Sequence, residues 1–250
     1  IQTRSEGPVP SNNFTVGRVR RNILSTSDIG MIFLNRQSRQ PNNYNRSFGA
    51  DVNFLLFQRQ LKFNAVLAKT QTPGREGQDW LKKAETQWDD GFLRFIGSYL
   101  EIQKNFNPEI GFVRRPGRKI LHNEFGLRLF QPRDSRLGSF VREIFPVAIS
   151  DYSILPNGET ETKLLSPQLQ IQFQDGGSFQ AQYAQNFERL ARPFVIQNNL
   201  SIPVGDHRFN EFALLYSSDR SKALAAGVEY RNGDFFSGTK KTLVLEGDFR

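Results

Sequence analysis

One stretch, Leu169 to Phe187, limits what this chain can fold into more than any other. Leu169, Ile171 and Phe173 alternate with Gln170, Gln172 and Gln174. A period of two puts successive side chains on opposite faces of an extended strand. Asp175-Gly176-Gly177 follows, and these residue types tolerate the positive φ of a tight hairpin turn. Beyond it Phe179, Ala181 and Tyr183 resume the apolar set, while Gln180 and Gln182 resume the polar one. The stretch is a β-hairpin with one apolar and one amide-rich face. The apolar face needs either a partner sheet or lipid.

The same alternation recurs along the chain. Strands are expected over Phe14–Asn22, Ile29–Asn35, Ser47–Phe57 and Leu61–Thr70. Phe48, Ala50, Val52 and Phe54 share one face of the third, opposite Gly49, Asp51 and Asn53. Asp79–Asp89 fits a helix period through Trp80, Leu81, Ala84 and Trp88, but strand neighbours and the turn-forming Asp89-Asp90-Gly91 favour a strand. Further strands are expected over Phe92–Gln103, Arg118–Phe130, Ser139–Tyr152 and Thr160–Gln174, with Pro146 and Pro167 as local interruptions. Leu190–Asp206 reads as an irregular connection. Strands over Arg208–Tyr216, Leu224–Tyr230 and Thr242–Phe249 complete the set, with Asn232-Gly233-Asp234 in the last connection. The expectation is an all-β, antiparallel up-and-down meander over residues 1–250, without a composition break. Opening at Ile1 and ending inside an alternating run, the sequence reads as a segment of a longer chain.

No stretch approaches the ~20 apolar residues of a spanning helix, but barrel strands need only ~9–11 alternating residues. Strands of that length, joined alternately by short turns and longer polar loops, point to a transmembrane outer-membrane barrel rather than a β-sandwich. Gln170, Gln172, Gln180 and Gln182 then face a wetted lumen, with Arg18, Arg20, Arg142 and Arg189 as further lumen candidates. A soluble β-sheet binding domain is the alternative.

The net charge of +8 comes from Lys and Arg scattered through many segments, which argues against a nucleic-acid partner. The densest basic run holds Arg114, Arg115 and Arg118; it reads as a solvated loop or as a contact for anionic lipid headgroups or an acidic ligand. There is no Cys, hence no disulfide or thiolate chemistry. The only histidines, His122 and His207, lack neighbours at metal-ligand spacing, so no metal and no cofactor is expected. No G-x-S-x-G motif occurs, and Asp89-Asp90 reads as a turn rather than an acid/base pair. No catalytic residue is assigned.

Three segments carry a resemblance. Asn105-Phe106-Asn107-Pro108-Glu109-Ile110-Gly111-Phe112-Val113-Arg114-Arg115 is one. The second is Phe14 to Arg21, with Gly17 and Arg18, followed by Ser27-Asp28-Ile29-Gly30. The third is Pro193-Phe194-Val195-Ile196 with Ile202-Pro203-Val204-Gly205-Asp206-His207, where His207 stands in place of an aromatic. As a set they resemble a bacterial family called domain of unknown function 5916, whose members join a carbohydrate-binding family-9-like sandwich to a large outer-membrane barrel. The resemblance implies a mid-barrel segment in the bacterial outer membrane. Lipid or lipopolysaccharide would surround it, and carbohydrate would be bound through an upstream domain. It implies binding or passage of carbohydrate-linked material. The alternative is the barrel portion of a surface hydrolase acting on glycans.

Overall fold

A computed structural model describes residues 1–4, 10–113, 115–197 and 200–249. Among them there is no helix. The first five strands are β1 (Asn12–Ile23), β2 (Ser27–Ser38), β3 (Tyr44–Leu56), β4 (Leu61–Gln71) and β5 (Trp80–Asp89). β6 (Leu93–Ile102), β7 (Arg118–Leu127), β8 (Leu129–Phe130), β9 (Val141–Ile154) and β10 (Thr160–Phe173) follow. β11 (Ser178–Leu190), β12 (Phe194–Gln197), β13 (Leu200–Ile202), β14 (Gly205–Ser217), β15 (Leu224–Phe235) and β16 (Gly238–Phe249) complete the order. Fourteen strands form one sheet that runs in chain order from β1 to β16, with β8 beside β9 and the β12–β13 hairpin apart. The strand pairings within each part of the sheet are antiparallel, and among the described residues β1 and β16 stand at the two ends of the strand order, unpaired with each other. The barrel expectation is met as far as an all-β meander, and not as a closed ring.

The chain sorts into two compact units. The first holds residues 1–88, 97–121 and 154–159; the second holds 89–96, 122–153 and 160–250.

In the first unit the registers fix which side chains share a face. Met31 pairs with Val19 and Ala50, and Ala50 with Leu67, so these four share an apolar face. Phe33, Phe48 and Trp80 lie on it too, as do Phe54, Phe63 and Trp88. The opposite face carries Arg20, Asp28, Asn53, Asn64 and Glu85, with Arg18 and Asp51 one step along. The second unit repeats the division. Leu169, Ala181, Leu214, Tyr230 and Leu243 form one row across β10, β11, β14, β15 and β16. Gln170, Gln180, Leu215, Glu229 and Val244 form the next row on the other face.

Burial departs from that of a protein with a dry apolar core: small and medium apolar side chains such as Val147, Ala184 and Ala213 are buried, but so are many polar ones. The largest fully buried side chains among the described residues are Asn45, Thr70 and Ser166. Met31 is 69 % exposed, and Phe48, Leu67, Tyr183 and Leu243 are exposed with it. The accessible surface is 16595 Å². A soluble monomer of 28.7 kDa exposes about 11,000 Å².

Three local expectations are corrected. Asn232-Gly233 does not turn the chain; it lies inside β15, opposite Lys241 and Lys240. The turn comes at Phe236, with φ of 53°, and Ser237. Glycine is needed at position 233 for space, because a Cβ there would sit 2.2 Å from the Asn210 carbonyl oxygen on β14. The expected Arg118–Phe130 strand breaks at Arg128, whose N–H donates to the Phe92 carbonyl at 2.7 Å and leaves β7 and β8 on either side. The 190–206 connection is not wholly irregular: it contains the β12–β13 hairpin. Asp79–Asp89 is a strand, as expected, and β9 and β10 run through Pro146 and Pro167.

The opening hairpin forms as its residues dictate. Gly176 takes φ of 92°, and the Asp175 carboxylate accepts from the Gly177 N–H at 2.9 Å. That bond holds the Asp175 carboxyl below its ordinary value, helped by Lys222. Asp219, in the β14–β15 turn, is lowered by the Ser221 N–H. A depressed folded-state value gives stability that is present above the ordinary aspartate range and is lost as pH falls through the folded value. Acidification below the ordinary aspartate value of 3.8 should therefore loosen both turns. Amide chemical shifts of Gly177 and Ser221, followed from neutral to acid, should move together with the carboxylates. Titration midpoints at or above 3.8 would contradict this.

Candidate functional site

The amide-rich face of the second unit is a connected network. Gln182 Nε2 donates to Ser166 Oγ at 2.9 Å, and Gln168 Nε2 reaches the same oxygen at 3.4 Å. Gln168 Oε1 accepts from Gln180 Nε2 at 3.1 Å and from Gln170 Nε2 at 3.3 Å. Neutral amides in a row offer both donors and acceptors without a fixed charge. Beside them lies a basin of about 500 Å³, bounded by Arg94, Glu124, Arg128, Glu143, Phe145 and the two glutamines Gln170 and Gln172. Its charges are matched: Arg94 Nε meets Glu124 at 2.6 Å, and Arg128 Nη2 meets Asp89 at 3.2 Å. The Arg128 guanidinium also lies over the Phe145 ring at 5.5 Å. Further along, Arg231 bridges Glu229 and Glu211, the latter at 3.0 Å, and Lys240 joins Glu211 at 3.4 Å.

The polar face of the first unit is also ion-paired. Arg18 meets Asp51 at 2.8 Å, and Arg20 Nε meets Asp28 at 2.8 Å. Gly30 makes room for the first pair, since a Cβ there would lie 2.8 Å from Asp51 Oδ1 and 3.0 Å from Arg18 Nη2. Matched pairs of this kind keep charge on the face while satisfying it.

Gln170, Gln172, Gln180 and Gln182 thus come together as expected, and Arg18 and Arg20 lie on a polar face. Arg142 and Arg189 do not. Arg142 alternates with Glu143 and Phe145, which bound the basin, and so lies on the opposite face. Arg189 shares the face of Tyr183 and pairs with Asp206 at 2.7 Å. Arg189 is an odd number of positions from Gln182 on β11, and Arg142 is one position from Glu143 on β9; strand parity decides the side. In the basic run, Arg115 is exposed and Arg118 Nη1 donates to the Gly117 carbonyl at 2.9 Å; Arg114 lies outside the described residues. Of the resemblance residues, Gly17 has nothing within 4 Å of a would-be Cβ. Phe106 is buried, Phe112 is 88 % exposed, and Gly111 packs on Pro108. Pro203 precedes Gly205, which opens β14 with φ of 143°.

His122 has a neighbour the sequence did not reveal: its Nδ1 hydrogen-bonds Asp151 Oδ1 at 2.6 Å. No hydroxyl bonds the other ring nitrogen among the described residues. His207 Nε2 lies 3.0 Å from the Pro203 carbonyl, and its ring meets Phe236 at 5.1 Å. Among the described residues no three His, Cys, Asp or Glu side chains are grouped as metal ligands. Sequence reading missed Asn45, Thr70 and Arg36, which gather around Asn107 and Glu109. Their only signal was a polar residue at the parity of the polar face.

Compared with family models, curated proteins and solved structures, the chain matches none.

Proposed function

We propose that this chain is part of a bacterial outer-membrane β-barrel, with its apolar face against lipid and its polar face lining a path or docking surface for polar solutes, glycans included. The observation that carries the reading is the burial pattern: polar side chains such as Asn45, Thr70 and Ser166 are covered, while rows of Leu, Phe, Tyr and Met are exposed. In water such a face is costly; in hydrocarbon it is what the solvent requires.

The tryptophans support it. Trp80 and Trp88 share the apolar face of β5, eight positions apart. At ~3.3 Å per residue they lie about 26 Å apart along the strand, or about 20 Å along the normal of a strand tilted ~40°. Aromatic girdles bound an apolar band about 25 Å tall in outer-membrane barrels. Trp88 meets Phe57 in a tilted contact with ring centroids 6.0 Å apart, while Trp80 carries Lys69 over its ring at 5.3 Å. Arg46 lies over Tyr44 at 4.6 Å, also on that face. Cations on amphipathic rings suit a headgroup zone. The resemblance to the barrel family agrees with this reading.

The amides and matched ion pairs of the polar face suit hydroxyl-rich ligands, which need many donors and acceptors and no net charge. The hydrolase alternative has one feature in its favour, the His122–Asp151 pair. Among the described residues no hydroxyl is hydrogen-bonded to the other ring nitrogen of His122.

The full-length protein reconstituted in vesicles tests the proposal. Swelling in solutions of small neutral sugars is the expected result. Insertion without swelling in any sugar, and without sugar binding, would remove the passage and docking role.

A further inference from the structure

The segment 105–110 between β6 and β7 does not extend away from the sheet. It folds across the polar face of β2, β3 and β4. Asn45 and Thr70 are each 1 % exposed, and both lie on that face. Asn45 Nδ2 donates to the Asn107 carbonyl at 2.6 Å, and Asn45 Oδ1 accepts from the Glu109 N–H at 3.2 Å. Thr70 Oγ1 accepts from the Asn107 N–H at 3.0 Å. Two strand side chains therefore satisfy the loop backbone on both sides of Pro108. Arg36, paired across the ladder with Asn45, forms an ion pair with Glu109. The root of the loop is fixed as well: the Asn105 N–H donates to the Gln78 carbonyl at 2.8 Å, and its Nδ2 to the Gly77 carbonyl at 2.8 Å. Phe106 is 6 % exposed.

A loop serving only as a connection would leave its backbone to water. Here buried groups of two strands, Asn45 and Thr70, are committed to it, with half-buried Arg36 of a third, and an unmet buried partner would carry the full desolvation cost. We propose that residues 105–110 form a fixed constriction over the polar face of the first unit, which limits the size of solute able to move along it. Pro108 stiffens the segment, and Asn45, Thr70 and Arg36 are the positioning residues. The inference rests on the passage reading above.

The test uses the full-length protein in vesicles and planar bilayers, with graded neutral sugars as probes. Asn45→Ala combined with Thr70→Val removes the backbone anchors. Glu109→Ala, which alters only the loop, removes the ion pair and covers the case in which the double variant fails to fold. An Ile110→Cys background, at a half-buried position within the segment and with no other Cys in residues 1–250, carries a spin label that reports whether the segment is released. The expected result is a mobile label, a several-fold rise in conductance and passage of larger sugars than the parent admits. A released loop with the parent's size limit would overturn the constriction while leaving passage intact. If neither parent nor variants pass any sugar, the passage reading fails and the constriction goes with it.

Discussion

Leu169→Arg should cost the lipid-embedded protein about 2–4 kcal/mol, the penalty of a cation on the lipid face of a barrel near its midplane. Leu169 is already 38 % exposed, with Ala181 beside it on the apolar face. In a water-soluble protein a change at so open a position usually stays within about 0.5 kcal/mol. The two environments thus give different answers for one substitution. Gln170→Arg, one residue on and on the opposite face, supplies the contrast. There the new guanidinium meets a wet, amide-lined surface, and little stability is lost. Denaturant unfolding of the full-length protein in vesicles measures both. Equal, small effects would argue that the apolar face does not meet lipid.

A second large effect is expected from Gly233→Ala. The added methyl would sit 2.2 Å from the Asn210 carbonyl oxygen and 2.6 Å from the Glu211 Cα. Both obstacles are backbone, so no rotamer change relieves them. Overpacking of this kind costs about 1–3 kcal/mol, and here the upper end is expected. The strain falls where β15 leaves β14, beside Glu211, so the Arg231–Glu211 pair should loosen with it. Gly247→Ala is the control, because nothing lies within 4 Å of a Cβ there. It should be neutral or slightly stabilising, since an alanine in a strand loses less chain entropy than glycine. The same unfolding measurement separates the two, and equal effects would contradict the β14–β15 register.

Much of this architecture was legible in the sequence because strand parity is local. Leu169, Ile171 and Phe173 against Gln170 and Gln172 need only adjacent residues to be read, and the register places them as the alternation implies. The Asp175-Gly176-Gly177 turn is equally local. Asn232-Gly233 was misread for the opposite reason. Its glycine answers to a neighbouring strand, and close backbone approach leaves no mark in the flanking residues. The amide network was visible as a set of glutamines. The His122–Asp151 pair and the Asn45–Asn107 anchor were not, since their partners are 29 and 62 residues apart in sequence. The closure of the sheet was beyond parity altogether. Alternation states that each strand has two unlike faces; it does not state how many strands complete a ring.

The central claim is that the apolar face meets lipid, and site-specific labelling tests it most directly. Single cysteines at Ile171, Phe173, Gln170 and Gln172 in the full-length protein, reconstituted in lipid, would carry an environment-sensitive probe. The account predicts a lipid signal from Ile171 and Phe173 and a water signal from Gln170 and Gln172. Water or protein surroundings at all four positions would contradict it and make a soluble β-sheet binding domain the better description.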